Sequence, residues 1–402
     1  MGPSLIPHAV VGSGIAGLAV TYHLLRQSSI SKHPIHIDLY DSYGIATGGA
    51  SEAAAGLVHP FSPSGAVLWK GNIAYKEAID LINASKSYSK SSTYWRDMGF
   101  YRPASNEKQR QKFRKFVGQS FEQPGELPVP MGFSANQEKE IFGHLISYGM
   151  DEGYNSDKIV GFYVENATVI NTVDYMHSLW NKCKATAAEA GSRVSLELST
   201  VQSLERLQRE NGYSSILVAA GAAVSQIQEL KCSFQLDLCQ GYTVEVESDT
   251  DRGPTTSLLG NPYVAFQQEY KAVIGATQRH GLSVEEAVQT YRPEFVSSVV
   301  MQPEAQMAAA NLKHQAEGKL RCLKDWEIVN IRSGVRALPT RTSEGAMPYA
   351  GQIDAQRNWW TLVGLGSRGL VYHAWLGRLV AKAIWNNDES ILPKQLTRWK
   401  NR

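Results

Sequence analysis

The sequence predicts an α/β chain: a nucleotide domain assembled from discontinuous segments, with a second domain built on an antiparallel sheet inserted into it. Three observations carry that prediction. A short strand, a glycine-rich turn and a helix open the chain between His8 and Leu25. Strand–helix character returns near residue 200 and again at the C-terminal end. Between these pieces lie β-branched runs that alternate as antiparallel strands do.

Taken in order, His8–Val11 reads as a buried strand and Gly12-Ser13-Gly14-Ile15-Ala16-Gly17 as a turn. Ile15, Leu18, Ala19, Tyr22 and Leu25 then recur at helical spacing. Ile35–Asp41 is the second strand, which completes a βαβ unit. The polar, basic run from Asn106 to Phe116 reads as a solvated helix. Val169–Trp180 reads as a helix entry, Ser192–Leu204 as a strand with its connection, and Ile216–Ala220 as a buried strand stopped by Gly221. Gly241–Glu247, Tyr263–Gln268 and Lys271–Ala276 are the antiparallel candidates, and Val284–Ala310 carries helical stretches. Trp359–Val363 and Leu370–Trp385 are the last strand and helix. Residues 1–80, 155–230 and 325–402 are thus expected in the nucleotide domain, and 81–154 and 231–324 in the inserted one.

Bulk properties remove several classes of function. With 402 residues there is room for two cores, and a formal net charge of +2 lacks the basic excess of a dedicated nucleic-acid binder. The four cysteines include no Cys-x-x-Cys pair, which argues against zinc or a redox dithiol and suggests a reducing, intracellular setting. No metal is expected. No apolar stretch approaches the roughly 20 residues of a membrane span, and the start has no signal-peptide pattern. A trimmed organelle transit peptide is compatible with that start.

The turn Gly12-x-Gly14-x-x-Gly17 gains weight from its setting: a strand before it, a helix after it, and Asp41 closing the next strand. Gly12 permits the tight turn, Gly14 lets a pyrophosphate approach the backbone, and Gly17 lets helix and strand pack closely. The N–H groups at the helix start, around Ile15 and Ala16, favour phosphate. Asp41 is expected to accept ribose hydroxyls, with Ser42 beside it.

Three later segments narrow the nucleotide. Gly48-Gly49-Ala50-Ser51-Glu52-Ala53-Ala54-Ala55-Gly56 is rich in small residues that let the chain pass a pyrophosphate and a flavin. Ile216-Leu217-Val218-Ala219-Ala220-Gly221 and Gly364-Leu365-Gly366-Ser367-Arg368-Gly369-Leu370 are strand-to-glycine turns. Together these segments resemble the D-amino-acid-oxidase-type FAD oxidoreductase family of glycine, sarcosine and D-amino-acid oxidases. The likeness runs from Val10 to about Ile384 and implies a Rossmann-like FAD domain holding non-covalent FAD. It implies FAD contacts at Val201, Ala220, Gly221, Gly366, Arg368, Gly369 and Leu370, besides Ala50, Ser51 and the first turn. A local likeness, at Gly334–Ala337, Met347–Gly351 and Gly364–Leu370, is to the oxidase domain of the bifunctional enzyme that makes 5-methylaminomethyl-2-thiouridine in bacterial tRNA.

The resemblance implies oxidation of a C–N bond, with a small amine or amino acid as substrate and oxygen as acceptor. Arginine binds a carboxylate through a two-point fork. Arg336 is matched to the family's carboxylate clamp, against the alternative of an ordinary ion pair. Arg368 is a second candidate, against a solvent-facing helix start. Arg341 is held in reserve, because Glu344 stands where an aspartate usually precedes Pro348 and the spacing from Arg336 is longer. Tyr263 matches the tyrosine over the substrate, and could equally be a plain strand residue. His59 follows the small-residue segment and could face the flavin, against the commoner alternative of a packing residue. The last helix is expected to point its positive end at the flavin pyrimidine. Two other functions stay open. One is a tRNA wobble-uridine oxidase, with Lys108–Lys115 touching phosphate; near-neutral charge does not favour it. The other is an assembly factor with little turnover.

Overall fold

The structure is a computed structural model describing residues 5–90, 95–120, 130–142, 159–250, 252–254 and 256–401. Among these residues, two large sheets carry the architecture. The first runs in the order Tyr349–Asp354, Trp359–Val363, Ser215–Val218, Ile6–Val11, Ile35–Asp41, Arg193–Leu198. All neighbours are parallel except the edge pair Tyr349–Asp354 and Trp359–Val363. Its strands Ser215–Val218 and Trp359–Val363 are buried along their whole length because both faces are covered, as parallel sheets require.

One face carries the helices Ile15–Ser31, Gly71–Lys86, Thr172–Glu189 and Gly369–Asn386, which share a single apolar core. The first and last of these pack so closely that a Cβ on Gly377 would lie 2.9 Å from Ala19 Cβ. Asn171 starts the third by accepting the Val173 and Asp174 N–H groups at 3.1 and 3.2 Å. The helix Leu204–Asn211, with its buried Leu204 and Leu207, joins Ile216, Tyr349 and Trp359 in a second apolar cluster.

The second sheet runs Glu327–Pro339, Leu236–Glu247, Lys271–Gly275, Tyr263–Gln268, Thr256–Leu258, Trp95–Pro103, Ile159–Ile170, Leu57–Val58. It is antiparallel apart from the pair formed by Thr256–Leu258 and Trp95–Pro103. This corrects the sequence partition. Glu327–Pro339 and Ile159–Ile170, expected in the nucleotide domain, belong to the second sheet. The reason is pairing: Glu327–Pro339 runs along Leu236–Glu247 for the whole length of both, a partnership between distant segments that no local pattern encodes. The expected boundary at 154/155 lies outside the described residues. The helix Glu107–Ser120 is only partly solvated, since Phe113 is buried and Arg110 pairs with Glu107 at 2.9 Å.

Candidate active site

The first strand, Ile6–Val11, lies between Ile35–Asp41 and Ser215–Val218, so the chain turns outward on both sides of it. Ligands of α/β sheets bind at such a switch point, beyond the carboxyl ends of the strands. A cavity of about 1690 Å³ opens there and extends under the second sheet. That exceeds the roughly 300–1,000 Å³ of a drug-sized ligand site.

At the first-sheet end the backbone makes the site. Gly12 has φ +106°, and a Cβ on it would sit 2.5 Å from Ala219 O. A Cβ on Gly17 would sit 1.8 Å from Gly12 O. Gly17 does not line the cavity; it lets the helix reach the turn. Gly14 is open toward the cavity, with Ser51 Oγ 3.3 Å from an added Cβ. No side chain caps this helix, and Gly14, Ile15 and Ala16 line the space at its positive end. The Ile15 N–H donates to Ser51 Oγ at 3.3 Å, which ties the segment Gly48–Glu52 to the helix start.

Asp41 lines the cavity in a more occupied state than the sequence suggests. Ser13 N–H and Oγ donate to its Oδ2 at 2.9 and 2.8 Å. Tyr43 and Gly44 N–H donate to its Oδ1 at 2.9 and 3.0 Å. Asp41 thus ties the glycine turn to the loop after the second strand. A ribose hydroxyl would share oxygens that already carry two donors each. Ser42, Ala50, Val201, Ala220 and Gly221 also line the cavity. Gly366, Arg368, Gly369 and Leu370 line it from the start of the last helix, which likewise has no side-chain cap.

The second-sheet end is built by side chains. Arg336 leaves the strand Glu327–Pro339 opposite Cys239 and lines the cavity half-buried. It donates to Thr277 O at 3.1 Å and to Ser367 Oγ at 3.3 Å. No carboxylate pairs with it among the described residues, so the ion-pair alternative does not apply there. Tyr263 lines the cavity near Arg336. Its ring crosses Gly275, where a Cβ would lie 2.6 Å from Tyr263 Oη. Burial pushes the Tyr263 hydroxyl up to about 12, with the Arg336 charge opposing. Arg368 lies near Tyr372, and burial lowers its pKa. Arg341 also lines the cavity but is exposed on the short pairing of Arg341–Thr342 with Gly345–Ala346.

One residue here escapes the sequence reading, and a second gains a sharper place. Arg102, on the strand Trp95–Pro103, lines the cavity with its Nε sealed from solvent and unpartnered. Burial lowers its pKa to about 10. The only available signal was a lone arginine in the otherwise uncharged run Gly99–Ser105. His59, for which packing is the commoner sequence alternative, faces the cavity, and burial followed by the charges of Arg102 and Arg368 lowers its pKa to about 3. Among the described residues no cluster of His, Cys, Asp and Glu could hold a metal ion, and no helix is long and apolar enough to cross a membrane.

A dinucleotide cradle at the ends of parallel strands, joined to a pocket roofed by an antiparallel sheet, defines a two-domain dinucleotide-dependent oxidoreductase. The model of the FAD dependent oxidoreductase family, DAO, matches residues 8–383, and the chain belongs to that family. Solved structures repeat the fold over almost the whole chain. Glycine oxidase from Geobacillus kaustophilus is 18% identical with a TM-score of 0.67, covering 97% of this chain and 98% of its own. Iminodiacetate oxidase from Chelativorans sp. BNC1 is 16% identical with a TM-score of 0.66, over the same 97% and 98%. L-proline dehydrogenase from P. horikoshii is 12% identical with a TM-score of 0.69, covering 99% and 98%. Identity this low speaks for the fold alone. Comparison with curated proteins found no match.

FAD is therefore the cofactor, and the residues present fit it. The crowded glycines leave backbone rather than side chains facing the space, and two uncapped helix starts supply N–H groups and positive dipole ends. Gly12, Gly14, Ile15 and Ala16 would hold the pyrophosphate, and Gly366–Leu370 the flavin end.

Proposed function

We propose that the enzyme oxidises the C–N bond of an amino acid or an N-substituted glycine-like amine. The observation that carries this reading is Arg336, a cavity-lining guanidinium with no acidic partner among the described residues. A substrate carboxylate is the anion that fits its fork. Bound FAD supplies a two-electron acceptor for the hydride on the carbon beside nitrogen. Thr277 O and Ser367 Oγ hold Arg336 in one pose, so the carboxylate fixes the amine with little loss of freedom. Tyr263 walls the same end and offers a hydroxyl to the carboxylate. An ordinary tyrosine hydroxyl is already protonated at neutral pH, and burial only pushes it further in that direction.

The substrate C–H bond breaks as hydride, the nitrogen lone pair forms C=N, and water hydrolyses the imine to a carbonyl compound and an amine. Oxygen then takes up the two electrons and two protons as hydrogen peroxide. FAD is held without a covalent bond in this reading. Peroxide release is measured across N-methyl, N-carboxymethyl and D-amino acids with FAD-loaded protein. Release with a carboxylate-bearing amine is expected. No release and no flavin bleaching with any of them defeats the proposal.

A further inference from the structure

We infer that the cavity contains a second anion subsite, formed by Arg102 and His59, and that the amine oxidised here carries a second carboxylate besides the one at Arg336. This rests on the amine-oxidising reading above and names its substrate class: N-carboxymethyl amines and amino dicarboxylates.

Arg102 stands opposite Phe162 in the pairing of Trp95–Pro103 with Ile159–Ile170. Its neighbour Tyr101 accepts the Leu259 N–H at 2.7 Å, which places Arg102 beside the cavity-lining pair Leu259 and Gly260. Arg102 is half-buried with its Nε sealed from solvent, and a cation drawn out of water without a counter-charge is disfavoured. No acid among the described residues pairs with it. The two lining acids are committed elsewhere: Asp41 holds the glycine turn, and Asp237 binds His280 at 2.6 Å and the Gly281 N–H at 3.0 Å. The missing partner is therefore a ligand anion.

His59 completes the subsite. Its Nδ1 accepts the Phe61 N–H at 3.3 Å, which leaves the ring proton on Nε2. A neutral imidazole in that tautomer is a donor toward the cavity, beside the Arg102 charge. Arg368 is near enough to bear on His59 as well. It follows Ser367, whose Oγ accepts from Arg336. Both proposed subsites line the same cavity, and the start of the last helix borders each of them. A side-chain carboxylate bonded to Arg102 and His59 would set which end of the amine lies over the flavin.

The test is a binding ratio on the FAD-loaded enzyme. Diglycolate and methoxyacetate are ethers that cannot form an imine, and they differ by one carboxylate. Flavin absorbance reports both affinities. In the wild type, diglycolate is expected to bind about 30-fold tighter, the worth of roughly 2 kcal/mol for a charge-assisted bond. Arg102→Met should bring the ratio to within about threefold with FAD content retained, and the kcat/KM ratio for iminodiacetate over sarcosine should fall with it. Should Arg102→Met not fold, Arg102→Lys is expected to keep part of the ratio and His59→Phe to reduce it. Equal binding of the two ethers to the wild type overturns the inference, as does a ratio that Arg102→Met leaves unchanged. Loss of FAD from Arg102→Met also overturns it, because Arg102 would then serve the cofactor. Failure of the oxidation reading appears separately, as iminodiacetate and sarcosine both leaving the flavin yellow.

Discussion

The two ends of the cavity recognise anions by opposite means. At the first-sheet end the donors are backbone N–H groups, fixed by glycines that no side chain can replace. At the second-sheet end they are guanidinium groups. Several arginines elsewhere in the molecule carry an acidic partner. Arg332 pairs with Glu245, Arg378 with Glu77 and Arg279 with Glu286. Arg102 and Arg336, inside the cavity, have no acid among the described residues. Under the proposed function, that unpaired cavity charge would meet a ligand anion. One end thus has the form of a backbone mould, which would suit a constant cofactor, and the other a charged lining, which in the proposed function would take a variable substrate.

Substitution at the mould should have the largest effect. Gly17→Ala places a methyl 1.8 Å from Gly12 O, a clash the backbone relieves only by parting helix and strand. The expected result is colourless or unfolded protein, a loss of more than about 4 kcal/mol. Yellow protein with wild-type flavin content would mean that the close approach of helix and turn is dispensable.

The second prediction concerns pH and the buried histidines, of which His59 lines the cavity. Burial lowers the pKa of His8 and His373 to about 4, and of His23 and His59 to about 3, from 6.5. Unfolded histidine takes up a proton below pH 6.5 while these folded ones do not. Their contribution to stability is therefore complete above pH 6.5 and is lost as pH falls from there toward 4 and 3. Each contributes up to about 1.4 kcal/mol per pH unit in that window. Thermal unfolding followed from pH 7 to pH 5 should show a falling Tm, and a flat Tm would place these imidazoles in wetter surroundings.

The smallest effect is expected at Tyr263. Tyr263→Phe removes one hydroxyl that reaches a carboxylate already held by Arg336, worth about 1 kcal/mol, or roughly fivefold in KM. FAD content should not change. A change confined to kcat would give the hydroxyl a different role.

The mould was legible in sequence because its parts are adjacent: the glycines of residues 12–17 and the acid that closes the next strand act through local geometry. Asp41 was legible in position, while two of its four donors depend on how the loop at Tyr43 and Gly44 folds back. The lining was legible only in part. Arg336, Arg368 and Tyr263 sit in segments that resemble a family, and the structure brings them to one end of the cavity. Arg102 sits in no motif. Its meaning comes from Leu259, His59 and Arg368, which tertiary pairing gathers from distant parts of the chain. The sheet membership of Glu327–Pro339 was hidden for the same reason.

The most direct test of the division between mould and lining is anaerobic reduction of the flavin by sarcosine in the wild type and in Arg336→Met. The wild type should bleach. The variant should hold the same amount of FAD and require roughly 100-fold more sarcosine, since a two-point charged contact is lost. Bleaching of Arg336→Met at wild-type concentrations would show that the carboxylate is not held there, and loss of FAD from that variant would show that the two ends are not separate.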